Sequence, residues 1–371
     1  MTDYQIANPA AARPLSPPQL RGAPPDPKRF QCSGSGHYCI MQAMAEDEMT
    51  DPGDWKLLPP AFTAALRRYD QAAAARLRGV QRRDAIIAPL FHYTDRAALS
   101  GIITNSEIWF THYQHLNDDK EIKFGMEITK AILVDFGTKW RKAKVFCDVV
   151  SDLFSSENLV EYFDFFIGCF SRSCDDVHQW KNYAAQGAGF SIGLAPSLFA
   201  IEPDRPDRTA DERSFVSPVF YGGQAARAQH RQAIESAARI AAETAERRAE
   251  AMRDINRGMS FFRELANRLV ASELILNCLR VKEAAWQPEN EVRLFILGQR
   301  ANLAPFVSTR LRGPETVPYI KHRMPLRTPG NITEILIGPK APPDAEDFVC
   351  SLLAAFHNDP CSIVRRSTVM M

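Results

Sequence analysis

The chain predicts an α+β fold on three observations. Short apolar runs bounded by polar residues or glycine read as strands, the clearest at 164–171 and 291–297. Longer tracts with helical spacing lie between them, at 59–83, from 118 or 119 to about 153, and at 224–283. The two kinds do not alternate regularly, which favours α+β over a doubly wound sheet.

Composition narrows the class. The 371 residues are 45% hydrophobic and 24% charged, with a net charge of +1. These are globular values, and they give no global attraction to nucleic acid or anionic membrane. No run is long enough to span a bilayer, and the acidic, polar N-terminus is unlike a signal peptide, so a cytoplasmic location is expected. Eight cysteines in a chain of this size are not a disulfide framework. Cys147, Cys169, Cys278 and Cys350 sit in apolar contexts and read as small core residues. Cys32, His37 and Cys39, or Cys174 and His178, have metal-ligand side chains, but neither group has a second half, so no metal is expected.

In order along the chain, residues 1–57 are rich in proline, glycine and alanine and read as a disordered tail before a single domain at 58–371. Residues 59–83 form an amphipathic helix with Phe62, Leu66, Tyr69 and Leu77 on one side. A strand at 88–93 leads into Thr94 or Asp95 as the cap of a helix through Leu99, Ile102 and Ile103. A strand at 107–111 puts Ile108 and Phe110 on one face and Trp109 on the other. A turn with Asn117 and Asp118 opens the next helix, with a break near Gly137. Residues 164–194 hold two strands that pinch off a turn carrying Trp180 and Tyr183 on one helix face, either as cleft residues or as ordinary core aromatics. A polar loop at 203–213 precedes a strand at 215–221. The tract 224–283, alanine- and arginine-rich at first, is expected as a helical insertion or solvated arm with a break near Gly258. Strands at 291–297, 317–319 and 334–337, a helix at 344–356 and a strand at 362–366 complete the chain.

Three groups carry chemistry. His92 ends a strand beside Tyr93 and Thr94, where it can hold a ribose or phosphate, act as acid or base, or cap the next helix. Alternation from residue 289 puts Glu289, Glu291, Arg293 and Phe295 on one strand face, either a cleft wall or a solvated edge. Asn117, Asp118 and Glu121 suit a ligand or, more simply, a turn and helix cap. GxxxxGKS/T, a GxGxxG after a strand, HExxH and GxSxG are all absent, which argues against P-loop, Rossmann, zincin and α/β-hydrolase mechanisms.

Leu90-Phe-His92-Tyr93-Thr94, Leu116-Asn117-Asp118 with Glu121, Cys169-Phe170-Ser171, Gln179-Trp180 with Tyr183, Gly187 and Gly189, Trp286 with Glu289, Glu291 and Arg293, and Glu334-Ile335 with Ile337-Gly338 occur in an order that resembles the bacterial domain-of-unknown-function family numbered 2971, over about 88–340. The opening strand, His-Tyr-Thr and helix also look like the start of ADP-ribosyltransferase-type domains, including RNA 2′-phosphotransferases and DNA-modifying toxins. That likeness implies a mixed central sheet with split strands and NAD as co-substrate. It would place His92 on the NAD ribose, Tyr183 or Trp180 against the nicotinamide, and Glu291 as the polarising carboxylate, with Tyr93, Thr94, Glu289 and Arg293 around them. No clear Ser-Thr-Ser element is present, and Glu289 competes with Glu291.

Two functions follow as expectations. One is an NAD-using ADP-ribosyl transferase acting on nucleic acid or protein. The other is a non-enzymatic nucleotide or nucleic-acid sensor, in phage defence or stress response, with Trp180 and Tyr183 stacking on a base and the arginines of 226–253 on phosphates. A partner-binding role for the alanine-rich tract is the third possibility. Neither main reading has a membrane partner. The transferase reading expects His92, Tyr183 and Glu291 in one pocket.

Overall fold

The structure, a computed structural model, describes residues 58–116, 121–155, 163–199 and 214–371. The expected tail, Cys32, His37 and Cys39, Asn117 and Asp118, and the 203–213 loop lie outside the described residues. Among the described residues, no helix is long and apolar enough to cross a membrane.

Helix α1 (Pro60–Arg83) opens with proline where a missing N–H costs nothing, and buries Phe62, Leu66 and Tyr69. Strand β1 (Leu90–Thr94) leads to α2 (Arg96–Asn105), capped by the Asp95 carboxylate, which accepts the Ala98 N–H at 2.8 Å. Then come β2 (Glu107–His112), α3 (Glu121–Lys139), α4 (Lys144–Ser155), β3 (Phe163–Ser171), α5 (Val177–Tyr183) and β4 (Phe190–Leu194). Helix α3 runs through Gly137, and the expected break comes three residues later, at Trp140, before α4. After β5 (Ser214–Pro218) and β6 (Phe220–Tyr221), the long tract folds as α6 (Gly223–Arg247), α7 (Ala249–Met252), α8 (Ile255–Leu269), a π-helical turn (Val270–Leu274) and α9 (Ile275–Leu279). The chain closes with β7 (Val281–Lys282), β8 (Glu291–Gln299), α10 (Arg300–Leu303), β9 (Val307–Arg312), β10 (Glu315–Arg323), β11 (Ile332–Ile337), α11 (Ala345–Leu353) and β12 (Val364–Arg366).

The α+β class is what the chain adopts, around a ten-stranded sheet of mixed orientation. Its order is β12-β11-β4-β1-β3-β2-β10-β9; β11 and β12 are parallel, and the other pairs are antiparallel. Strand β3 pairs with β8 along its whole length, and β8 with β5. The other edge of β3 is shared: β1 takes Ser171, and β2 takes Phe166 and Ile167. The sheet therefore forks opposite Gly168, Cys169 and Phe170.

Alternation gives the two faces different cores. Phe165, Ile167 and Phe295 point into a helical layer that includes α1, α3, α4, α6, α8 and α9. Phe166, Phe170, Val292, Leu294 and Ile296 point the other way, against α2 and α11.

Four readings are corrected here. The tract expected as a solvated arm is internal: Ala226, Ala233, Ile234, Ala237, Ala238 and Ala241 of α6 are buried, because alanine lets helices approach closely while its arginines stay outside. Its breaks fall at Arg248 and just before Asp254, whose carboxylate caps α8, and Gly258 lies inside that helix. Cys350 is not a core thiol but is joined to Cys361, with Cα atoms 5.3 Å apart. Strand β10 is longer than expected and pairs with β9, which lacks a clean apolar alternation.

Candidate functional site

The start of β8 assembles a buried network of charge. Arg293, 1% exposed, forks onto Glu291 through Nε at 2.8 Å and Nη2 at 3.0 Å, and its Nη1 donates to the Leu279 carbonyl at 2.8 Å. Lys282, on β7, bridges the two glutamates, with Nζ 2.8 Å from Glu291 Oε2 and 2.6 Å from Glu289 Oε2. Tyr183 donates its hydroxyl to the other Glu289 oxygen. The Glu289 carbonyl accepts from Gln179 Nε2 at 2.9 Å and from Ser171 Oγ at 2.8 Å. Glu289 sits in a short 3₁₀ segment rather than in the strand, and Asn290 in the left-handed region (φ 46°) turns the chain into β8.

Two cations face two anions, so the network is neutral. Burial alone would raise the Glu291 carboxyl, but Arg293 and then Lys282 outweigh it and hold it at about 2. Burial, with Glu289 beside it, pushes the Tyr183 hydroxyl above its usual range, and burial with Glu291 does the same to the Cys169 thiol. Glu291 is therefore a fixed anion whose two oxygens are already held by nitrogen donors. Its backbone is held too: its N–H donates to Tyr221 Oη at 2.8 Å, and its carbonyl accepts from Val219 N–H at 3.0 Å. A cavity of about 580 Å³ adjoins this segment, walled in part by Asp84, Arg172, Tyr221 and Asn290.

The remaining expected site residues go elsewhere. Trp180 is fully buried, edge-on to Tyr93 at 4.9 Å, with its Nε1 donating to Asp175 at 2.7 Å. Tyr93 donates to the Ser173 carbonyl at 2.9 Å. Both aromatics are core. Thr94 is buried at the end of β1, opposite Phe190.

His92 lies on the other face of the sheet from Glu291. It stands opposite Ile192, whereas Glu291 stands opposite Ser171, which stands opposite Phe91, and neighbours along β1 alternate. One pocket holding His92, Tyr183 and Glu291 is not what the sheet builds. At the fork, the His92 Nδ1–H donates to the Cys169 carbonyl at 3.0 Å, and burial keeps the imidazole neutral, with Arg310 adding to the effect. The Glu121 side chain lies outside the described residues, and among the described residues no three His, Cys, Asp or Glu side chains are grouped as a metal ion needs.

An aromatic and basic patch lies on the outer strands. Trp109 is 38% exposed and stacks on Tyr319, with ring centroids 4.2 Å apart and planes 22° from parallel. Arg310 lies over both rings, 5.6 Å from Trp109 and 5.9 Å from Tyr319, and donates to Thr111 Oγ1 at 3.1 Å. Lys321 stands opposite Trp109, and Arg323 opposite Glu107. The sequence put Trp109 on the face away from Ile108 and Phe110, but its partners come from β9 and β10, about 200 residues on, so nothing local marked the patch.

A model of the family described as "Protein of unknown function (DUF2971)" matches residues 179–294. The match runs from Gln179 to just past Arg293, so it encloses Tyr183, Tyr221, Lys282, Glu289 and Glu291. It is narrower than the 88–340 span of the resemblance. No curated protein and no solved structure matches the chain.

Proposed function

We propose that the chain is a non-catalytic binder of single-stranded nucleic acid, with the Trp109–Tyr319–Arg310 face as its platform. The observation that carries this reading is the exposed Trp109, already stacked on Tyr319 and flanked by arginine on a sheet face. A large exposed aromatic costs solubility unless it meets a partner, and every base has a face to offer it. On β2, β9 and β10, Arg310, Arg312, Lys321 and Arg323 share that face with Glu107 and Glu315. This excess of cations suits a phosphate backbone. The stacking residues are thus Trp109 and Tyr319 rather than the buried Trp180 and the carboxylate-bound Tyr183.

The test is fluorescence anisotropy with labelled single-stranded DNA and RNA at low and moderate salt. Binding that weakens with salt, and falls about tenfold or more in Trp109→Ala, is expected from a stacking contribution of about 1–3 kcal/mol. Undetectable binding at low salt ends this reading.

The ADP-ribosyltransferase reading keeps one observation in its favour, the fork in the sheet with the His92 imidazole beside it. Against it, the two carboxylates it would use, Glu291 and Glu289, are both taken by cations. Nicotinamide release from labelled NAD is its test.

A further inference from the structure

A second polar pocket, of about 270 Å³, lies between α1, α6 and the π-turn–α9 segment and shares no lining residue with the aromatic patch. Its cations are not equivalent. Arg76 is satisfied: Nε and Nη2 donate to Glu273 at 2.9 and 2.7 Å, and Nη1 donates to Ser236 Oγ at 2.7 Å. Glu273, which also accepts from Tyr69 Oη at 2.7 Å, is fully used. Arg83 is exposed and reaches Asp84 at 3.1 Å.

Arg280 is different. It is 2% exposed, it lines the pocket, and its Nε and Nη2 meet no hydrogen-bond partner. Its guanidinium lies 4.8 Å from the centroid of the Phe220 ring, which is weak compensation for a charge taken out of water. The acid that acts on it, Asp84, is hydrogen-bonded to Arg83 instead. His230 adds no second positive charge beside it, because burial, and after it the Arg280 charge, hold its imidazole neutral. Burial also pulls the Arg280 guanidinium itself down, to about 10.

A buried guanidinium with two free donors in a fixed fork matches the oxygens of a tetrahedral oxyanion. Gln229, Gln232 and Asn277 line the same pocket and add neutral donors. The volume holds a phosphoryl group and a small substituent, but lies at the lower limit for a complete cofactor. We propose that this pocket binds the phosphoryl group of a small phosphorylated ligand, with Arg280 as the buried fork and Arg83 at the mouth.

The test uses the full chain with three probes: inorganic phosphate, a nucleoside 5′-monophosphate and the same nucleoside without phosphate. Thermal shift and calorimetry are expected to show binding of phosphate or of the monophosphate, and none of the nucleoside. Whichever of the first two binds more tightly distinguishes a free anion from a phosphorylated metabolite. Arg280→Met is expected to weaken binding at least about tenfold, as loss of a charge-assisted bidentate contact does. If Arg280→Met does not fold, Arg83→Ala, at an exposed position, is expected to weaken binding several-fold with the unliganded melting temperature unchanged. Trp109→Ala is expected to leave phosphate binding intact, and Arg280→Met to leave single-strand binding intact, so the two sites stand or fall separately. No shift with phosphate or monophosphate at about 10 mM, or wild-type affinity in both arginine variants, overturns the proposal.

Discussion

Glu291→Gln tests whether the β8 carboxylate is framework or reactant. The substitution keeps shape and removes one negative charge. Arg293 and Lys282, 1% and 5% exposed, would then share a single anion, Glu289. Breaking a buried pair from one side costs about 3–5 kcal/mol, because the charge left behind stays desolvated. That is a large part of the 5–15 kcal/mol typical of a folded protein. It corresponds to a fall in melting temperature of roughly 5–15 °C.

Replacing both partners, Glu291→Leu with Arg293→Met, leaves Lys282 paired with Glu289 and is expected to recover most of the loss, with a coupling energy of about 1–3 kcal/mol. The acid limb changes as well. The folded carboxyl titrates at about 2, below its ordinary value of 4.5, so its stabilisation is complete above about 4.5 and is lost as the pH falls toward 2. Glu291→Gln lacks that limb. Urea unfolding of the wild type, Glu291→Gln, the double variant and its two single components, Glu291→Leu and Arg293→Met, between pH 3 and 7 measures all of this. A Glu291→Gln protein with a wild-type midpoint would refute the framework reasoning and return Glu291 to the list of available carboxylates.

Other outcomes follow from single contacts. His230 is held neutral to about 4 by burial and by Arg280, so its folded value lies below the ordinary 6.5. The stability it supports is present above about 6.5 and is lost as the pH falls to about 4; the gap between wild type and His230→Gln should narrow over that window, and a constant gap would contradict it. A Cβ at Gly168 would lie 2.6 Å from the ring of Phe110, itself completely buried, so Gly168→Ala should destabilise by about 1–3 kcal/mol in denaturant unfolding. Trp109→Ala removes a partly exposed ring and should change stability by less than about 1 kcal/mol while weakening single-strand binding about tenfold or more, a separation that calorimetric melting beside anisotropy would show.

What was legible in the chain was local. Periodicity marked β1, β2, β3, β4 and β8, and irregular alternation gave the α+β class. The pairing of Arg293 with the glutamate beside it follows from a period of two, and the structure has it. Lys282 was not legible, because it closes a helical tract and meets Glu289 and Glu291 only after the chain has turned back through a 3₁₀ segment. The internal position of α6 was hidden by its composition: alanines score as weakly apolar, and the arginines between them look like a solvated face. Parity within β1 was readable, but parity between β1 and β8 was not, since it depends on which residue of β3 each strand meets.

The fork explains why a resemblance in strand order did not bring the expected residues together. Strand β3 offers β1 only Ser171, and through that pair Phe91 takes the face of Glu291 and Arg293. One step along β1, His92 must take the opposite face, where Phe170 and Ile192 lie, and its Nδ1 occupies the Cys169 carbonyl that β1 leaves unpaired. A register shift of one residue between β1 and β3 would exchange Phe91 and His92 between the faces. It would also put Leu90, now 1% exposed in the core opposite Leu194, on the other face. Burial of Leu90, Ile192 and Leu194 fixes the register against that slip. The separation of His92 from Glu291 is therefore set by the same apolar residues that build the sheet, and no side-chain rotation can undo it.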